Sequence, residues 1–265
     1  MANRTLTGRT VLITGGASGI GAACARRLAA DGARVLIADV DGGAAAKLAA
    51  ELGQHAVRAD VTRAGDIEAM LDAAWQRWGR LDVLFNNAGI IQGKPLLDVT
   101  PADWDRLMDV NLKAVFFVLQ ATARRMIQQD PIAGSELRGK MIHTASIAAY
   151  RGGLPLTAPY AASKAAVVSL ARTAAQAFAP HRVTSNCICP GVVQTPLWER
   201  LDAEWSAIEG WATGEAWKRR TAGIPLGRPE RPEDVAGLVA FFASADSDYM
   251  TGQAINIDGG LVMGN

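Results

Sequence analysis

The chain has 265 residues, is 49% hydrophobic and carries a formal net charge of +1. That length buries one sizeable core, as one α/β unit or two small domains. The near-neutral balance gives no electrostatic reason to expect nucleic acid or an anionic membrane as partner, and no apolar run approaches the roughly 18 residues of a membrane span.

Residues 1–5 run almost directly into a strand and lack the apolar stretch of a signal peptide, which predicts a cytoplasmic protein. Short apolar or β-branched runs predict strands over 10–13, 34–38, 55–59, 83–85, 140–144, 183–188 and 254–257. Longer amphipathic segments between them predict helices near 20–30, 43–52, 65–78, 101–129, 158–178 and 232–243. This alternation predicts a single-domain, Rossmann-type, doubly wound parallel α/β sheet of about seven strands, helices on both faces. No repeat, low-complexity tract or linker divides residues 1–265. Residues 130–139 read as a polar surface turn. Residues 195–224 contain Trp198, Trp205, Trp211 and Trp217 and follow the sixth strand, where an open sheet binds its ligands; they are predicted to form a lid.

The first strand runs into Thr14-Gly15-Gly16-Ala17-Ser18-Gly19-Ile20-Gly21 and then a helix. Gly15, Gly19 and Gly21 let the backbone turn and approach a pyrophosphate, and the helix start, with Ser18 and Ile20, offers free N–H groups and a positive dipole end. Asp39 ends the second strand, where a carboxylate accepts ribose hydroxyls and repels a 2′-phosphate. No basic residue stands at Gly16, Ala17 or Val40, so NAD is expected over NADP. Asp60 and Val61 close the third strand beside the adenine. Asn87, Ala88 and Gly89 close the fourth with small residues and an amide that can satisfy backbone groups. The cysteines, Cys24, Cys187 and Cys189, have neither C-x-x-C spacing nor a nearby histidine pair, and no metal is expected.

Tyr160 and Lys164 are four apart in a helical segment and so share a face. A neighbouring ammonium and a positive nicotinamide ring would lower the phenol's pKa and let it exchange a proton with an alcohol. Ser146, after the fifth strand, is placed to donate to the substrate oxygen. Asn111 lies inside a long apolar helix, where its amide could disturb the helix and hold a water beside Lys164.

Together these motifs resemble the short-chain dehydrogenase/reductase family over essentially the whole length, including Pro190-Gly191 and Thr195. The resemblance implies an NAD-dependent enzyme with Tyr160 as acid/base, Ser146 orienting the substrate, Lys164 binding the nicotinamide ribose and Asn111 supporting a proton relay. It also implies Pro190, Gly191, Val193 and Thr195 at the nicotinamide, and a homotetramer built on the two long helices. The stretch 190–199 resembles the lid entry of bacterial polyol dehydrogenases and diol or acetoin reductases. The expected substrate is therefore a small-molecule secondary alcohol, a sugar alcohol or diol, or its ketone. Ser146, Ala148, Gly153, Tyr160, Gln92, Trp198 and Glu199 are its expected contacts. A 3-oxoacyl-carrier-protein reductase, with Lys218-Arg219-Arg220 facing an acidic carrier, is the alternative enzyme. A catalytically silent nucleotide-sensing module is the alternative from another class.

Overall fold

Strand β1 (Thr10–Thr14) turns Val11 and Ile13 toward one layer and Leu12 toward the other, and all five residues are buried. A strand apolar on both faces requires cover on both, as in parallel sheets. The computed structural model describes residues 6–151 and 155–263. Among them β1 joins β2 (Arg34–Asp39), β3 (His55–Arg58), β4 (Val83–Asn86), β5 (Gly139–Thr144), β6 (Val183–Pro190) and β7 (Ala254–Ile257) in one parallel sheet, order 3-2-1-4-5-6-7. The order reverses between β1 and β4, so the ligand crevice opens beyond their carboxyl ends.

The α-helices among the described residues are α1 (Gly19–Ala30), α2 (Gly42–Leu52), α3 (Ala64–Trp78), α4 (Pro101–Met108), α5 (Ala114–Met126), α6 (Ala148–Arg151), α7 (Ala158–Phe178), α8 (Pro196–Glu209), α9 (Glu215–Thr221) and α10 (Pro232–Ala243). Leu28, Leu48 and Val239, from α1, α2 and α10, cover the face that bears Ile13 and Ile37. Met70 and Leu71 of α3 and Val118 and Met126 of α5 cover the face that bears Leu12 and Leu84. Cys187 and Cys189, two apart in β6, share one face and pack with Val167 and Ala171 of α7.

The helix expected over 101–129 is divided. One π turn, Asp109–Lys113, separates α4 from α5, with the Ala114 N–H donating to the Asp109 carbonyl. The π turn contains the buried Asn111, whose amide binds backbone groups of another loop. Helix α5 stops at Met126, and the Gln129 amide beyond it brackets the N–H and carbonyl of Leu81, at 3.1 and 2.8 Å. Residues 195–224 fold as α8 and α9, tied together by the buried Asp202, which accepts the Gly214 and Trp217 N–H groups at 2.5 and 2.7 Å. At the opposite end of the sheet, Lys140 is 2% exposed and reaches Asp248 (2.6 Å), Ser247 Oγ (2.9 Å) and the Ser244 carbonyl. Gly152, Gly153 and Leu154, expected at the substrate pocket, lie outside the described residues.

Candidate active site

The loop after β1 is shaped by glycines that nothing larger could replace. A Cβ on Gly21 would stand 2.1 Å from the Gly15 carbonyl oxygen, and one on Gly15, whose φ is +62°, would stand 2.9 Å from Ala88 Cα. The loop is braced from below: Thr14 Oγ1 accepts the N–H groups of Asn87 (2.9 Å) and Ala88 (3.1 Å), and Asn87 Nδ2 donates to the Thr14 and Gly15 carbonyls. Above it opens a cavity of about 890 Å³, lined by Gly15, Ser18, Gly19, Ile20, Asp39, Asp60, Val61, Asn87, Ala88, Gly89, Tyr160, Lys164 and Thr195, among others.

Asp39 keeps its carboxylate at the cavity by accepting Ala17 N–H and Asp41 N–H, each at 3.0 Å. Asp60 accepts both the hydroxyl and the N–H of Thr62, and these bonds hold its pKa below the usual carboxylate range. The cradle fits a dinucleotide: glycine-lined backbone and a helix start for the pyrophosphate, and two carboxylates along the adenosine side.

Of the sequence-derived cofactor contacts, Gly21, Pro190, Gly191 and Val193 do not line the cavity. Gly21 and Gly191 are closely packed, Gly191 against Asp258, whose Cβ would lie 2.8 Å from an added Cβ. A single bridge between Val193 and Glu230, the residue after Pro229, holds this loop in place. Glu230 donates its N–H to the Val192 carbonyl (3.0 Å) and accepts Gln194 N–H (2.8 Å) on its own carbonyl. Its Oε2 accepts Gly191 N–H at 2.9 Å. Glu230 is 7% exposed, and burial pushes its carboxyl up to about 8. In the sequence nothing separates it from an exposed glutamate between Pro229 and Arg231.

Tyr160 and Lys164 share a face of α7, with Lys164 Nζ 5.6 Å from the phenol ring centroid. Lys164 is 3% exposed, and its ammonium donates to the Thr144 carbonyl at 2.8 Å, a partner the sequence reading missed. Burial lowers Lys164 to about 8. Burial likewise raises the Tyr160 phenol, opposed by a hydrogen bond with the Ser146 side chain. In the protein alone burial has the larger effect, because desolvation penalises phenolate; the expected lowering is for the site with a nicotinamide bound. Ser146 is buried and its Oγ also accepts the Ala148 N–H at 3.2 Å.

Asn111 accepts Ile90 N–H and donates to the Ile90 carbonyl, both at 2.8 Å. A Cβ on Gly89 would lie 3.4 Å from Asn111 Oδ1 and 3.5 Å from Lys164 Nζ, so the missing side chain leaves a gap between them.

The substrate-side expectations fare less evenly. Gln92 donates to Asp103 Oδ1 at 3.0 Å, beside Lys94, which binds the other oxygen. Glu199 is exposed on α8. Trp198 packs edge-on against Trp205 and Trp217, centroids 5.3 and 5.5 Å apart, in a cluster with Leu156, Leu201 and Ile91.

The chain is similar to known proteins over nearly its whole length. A family model described as Enoyl-(Acyl carrier protein) reductase matches residues 15–262. L-2,3-butanediol dehydrogenase of Corynebacterium glutamicum is 42% identical over 96% of this chain and 98% of its own. The chain is a short-chain dehydrogenase/reductase. This oxidoreductase is also 40% identical to a sorbitol dehydrogenase of Cereibacter sphaeroides, over 96% of this chain and 98% of that one. A solved 3-ketoacyl-(acyl-carrier-protein) reductase from Brucella melitensis, complexed with NADH, superposes with a TM-score of 0.85 at 31% identity, covering 97% of this chain and 99% of its own. Among the described residues no helix is long and apolar enough to cross a membrane.

Proposed function

We propose that this reductase-family enzyme interconverts a short vicinal diol or sugar alcohol and its ketone, using NAD, with Tyr160 as acid/base. The observation that carries this reading is that Tyr160, which hydrogen-bonds the Ser146 side chain, and Lys164 line the same glycine-rich cavity as Asp39. A bound oxidised nicotinamide supplies the hydride acceptor and a positive ring near the phenol.

The chain's own groups do the rest. Ser146 donates to the substrate oxygen and holds it against Tyr160, and Tyr160 takes the hydroxyl proton. Lys164, anchored on the Thr144 carbonyl, holds the ribose and favours phenolate through its charge once the site is filled. Asn111, fixed at Ile90, faces the gap at Gly89, where a water can pass the proton on from Lys164. Asp39 supports NAD over NADP, since its carboxylate would face a 2′-phosphate with no cation on either neighbour. The butanediol and sorbitol dehydrogenase relatives support the substrate class.

The exposed Phe116 and Phe117 on α5, beside Leu112 and Leu170, support a homotetramer in which this face meets a second copy. Three free, buried cysteines suit the cytoplasm.

Initial rates with 2,3-butanediol, sorbitol and an acetoacetyl thioester, each with NAD(H) and NADP(H), test the proposal. Turnover of a diol or polyol with NAD supports it. Activity confined to the thioester with NADPH would transfer the enzyme to the carrier-protein class.

A further inference from the structure

Among the described residues two cations line the large cavity, Lys164 and Arg106. Lys164 is held by the Thr144 carbonyl. Arg106, on α4, is exposed, and its guanidinium makes no hydrogen bond or ion pair among the described residues. The acid three residues on is engaged elsewhere, since Asp109 pairs with Lys113 at 3.0 Å. The helix beneath Arg106 is firmly seated. The Thr100–Asp103 capping box fixes its start, the Asp103 carboxylate also takes Lys94 and Gln92, and Leu107 is buried. A long cation with its donors free thus faces the cavity from a fixed base.

The rotation of the helix decides which wall of the cavity Arg106 belongs to. Asn111 turns toward α7, its Nδ2 3.3 Å from Ser163 Oγ. Arg106 stands five residues earlier, roughly 120–140° away round the axis at about 100° per residue, so it lines the cavity from the side away from Tyr160 and Lys164. Val110, four residues on and on the same face, lines it too. On that side α5, which continues the π turn, has α3 as its neighbour, joined through Arg125 to Glu68 and Asp72 at 2.7 and 2.8 Å. Helix α3 begins two residues after Thr62, and Asp60, Val61 and Thr62 line the cavity. Val40, Val61 and Val110 give this wall an apolar lining, which suits the flat face of a base and not a phosphate.

We propose that Arg106 closes over the adenine of the dinucleotide, its guanidinium plane stacking on the face of the base beside Val110. This role rests on the dinucleotide reading of the cavity and names a residue that grips the half of the cofactor remote from hydride transfer. Guanidinium is planar, delocalised and weakly hydrated, so it stacks on aromatic faces and bases where the compact lysine ammonium does not.

The test is NADH fluorescence titration of wild type, Arg106→Met and Arg106→Lys, with ADP-ribose and NADPH measured on the same proteins, ADP-ribose by displacement of NADH. Arg106 has no partner to lose, so both variants should melt at the wild-type temperature. In Arg106→Met the Kd values of NADH, NADPH and ADP-ribose are expected to rise together by about 2–5-fold, the effect of one exposed cation–π contact. Arg106→Lys should recover part of that loss at most. An NADH affinity equal to wild type would make Arg106 a solvent-facing residue and overturn the proposal. A loss for NADH that ADP-ribose does not share would put Arg106 on the nicotinamide half and overturn it also. So would a loss confined to NADPH, or full recovery by lysine, either of which makes the contact an ion pair with phosphate. A wild type that binds neither NADH nor ADP-ribose overturns the dinucleotide reading itself.

Discussion

Replacing Glu230 by Gln removes a titration from beneath the loop after β6 while keeping the size of the side chain and an acceptor for Gly191 N–H. The carboxyl is raised to about 8, first by burial, with Asp234 and Asp258 adding to the effect and Gly191 N–H and Arg228 opposing it. Below about pH 4.5 the group is neutral in the folded and unfolded chain and costs no stability. As pH rises toward 8, the unfolded chain ionises it freely and the folded chain keeps its proton, so stability falls through this window and levels off above it. At ~1.4 kcal/mol per unit, the full gap sets an upper bound of about 5 kcal/mol, and water reaching the carboxyl reduces it to roughly 2–3. Urea unfolding of wild type and Glu230→Gln at pH 5, 7 and 9 measures it. The variant should gain on the wild type between pH 5 and about 8 and hold that gain at pH 9. A constant difference across that range would mean Glu230 titrates normally, and the clamp on Val192 and Gln194 would then act through its backbone alone.

Three further outcomes follow from distances in the site and the sheet. Gly89→Ala places a methyl at ordinary contact with Asn111 Oδ1 and Lys164 Nζ, so the protein should fold while kcat falls about 10–100-fold, a loss of about 1.4–2.7 kcal/mol; a kcat within twofold of wild type would remove the water from the relay. Asp39→Ala should cut the preference for NAD over NADP by about tenfold or more, ~1.4 kcal/mol, measured as the ratio of kcat/KM values. Lys140→Met takes the donor from the Ser244 carbonyl and Ser247 and the cation from Asp248, and should cost about 2–4 kcal/mol in denaturant melts without altering KM; a loss under 0.5 kcal/mol would refute a structural role for that pair.

Much of this was legible in the sequence because the signals were local. Strand ends at Thr14, Asp39 and Asn86 carry turn chemistry and small residues, and seven strands appear where alternation of apolar runs predicts them. Tyr160 and Lys164 share a face because a four-residue step fixes it. What escaped depends on partners far away in the chain. The disturbance of the helix at Asn111 was legible, but its pairing with Ile90, 21 residues earlier, was not. The fate of Gln92 is set by Asp103 and Lys94. Glu230 became a buried carboxyl only because the loop after β6 folds over it. Among the lid tryptophans, composition alone could not separate Trp198, which is partly exposed, from Trp205, which is buried with its N–H lacking an acceptor among the described residues.

The most direct test of the account is oxidation of 2,3-butanediol with NAD by the wild type and by Tyr160→Phe, with NADH affinity measured on both. The account predicts wild-type turnover, a loss of about 10²–10⁴-fold in kcat for the variant, and cofactor affinity within a few fold. A Tyr160→Phe enzyme that oxidises the diol at near wild-type rate would contradict it.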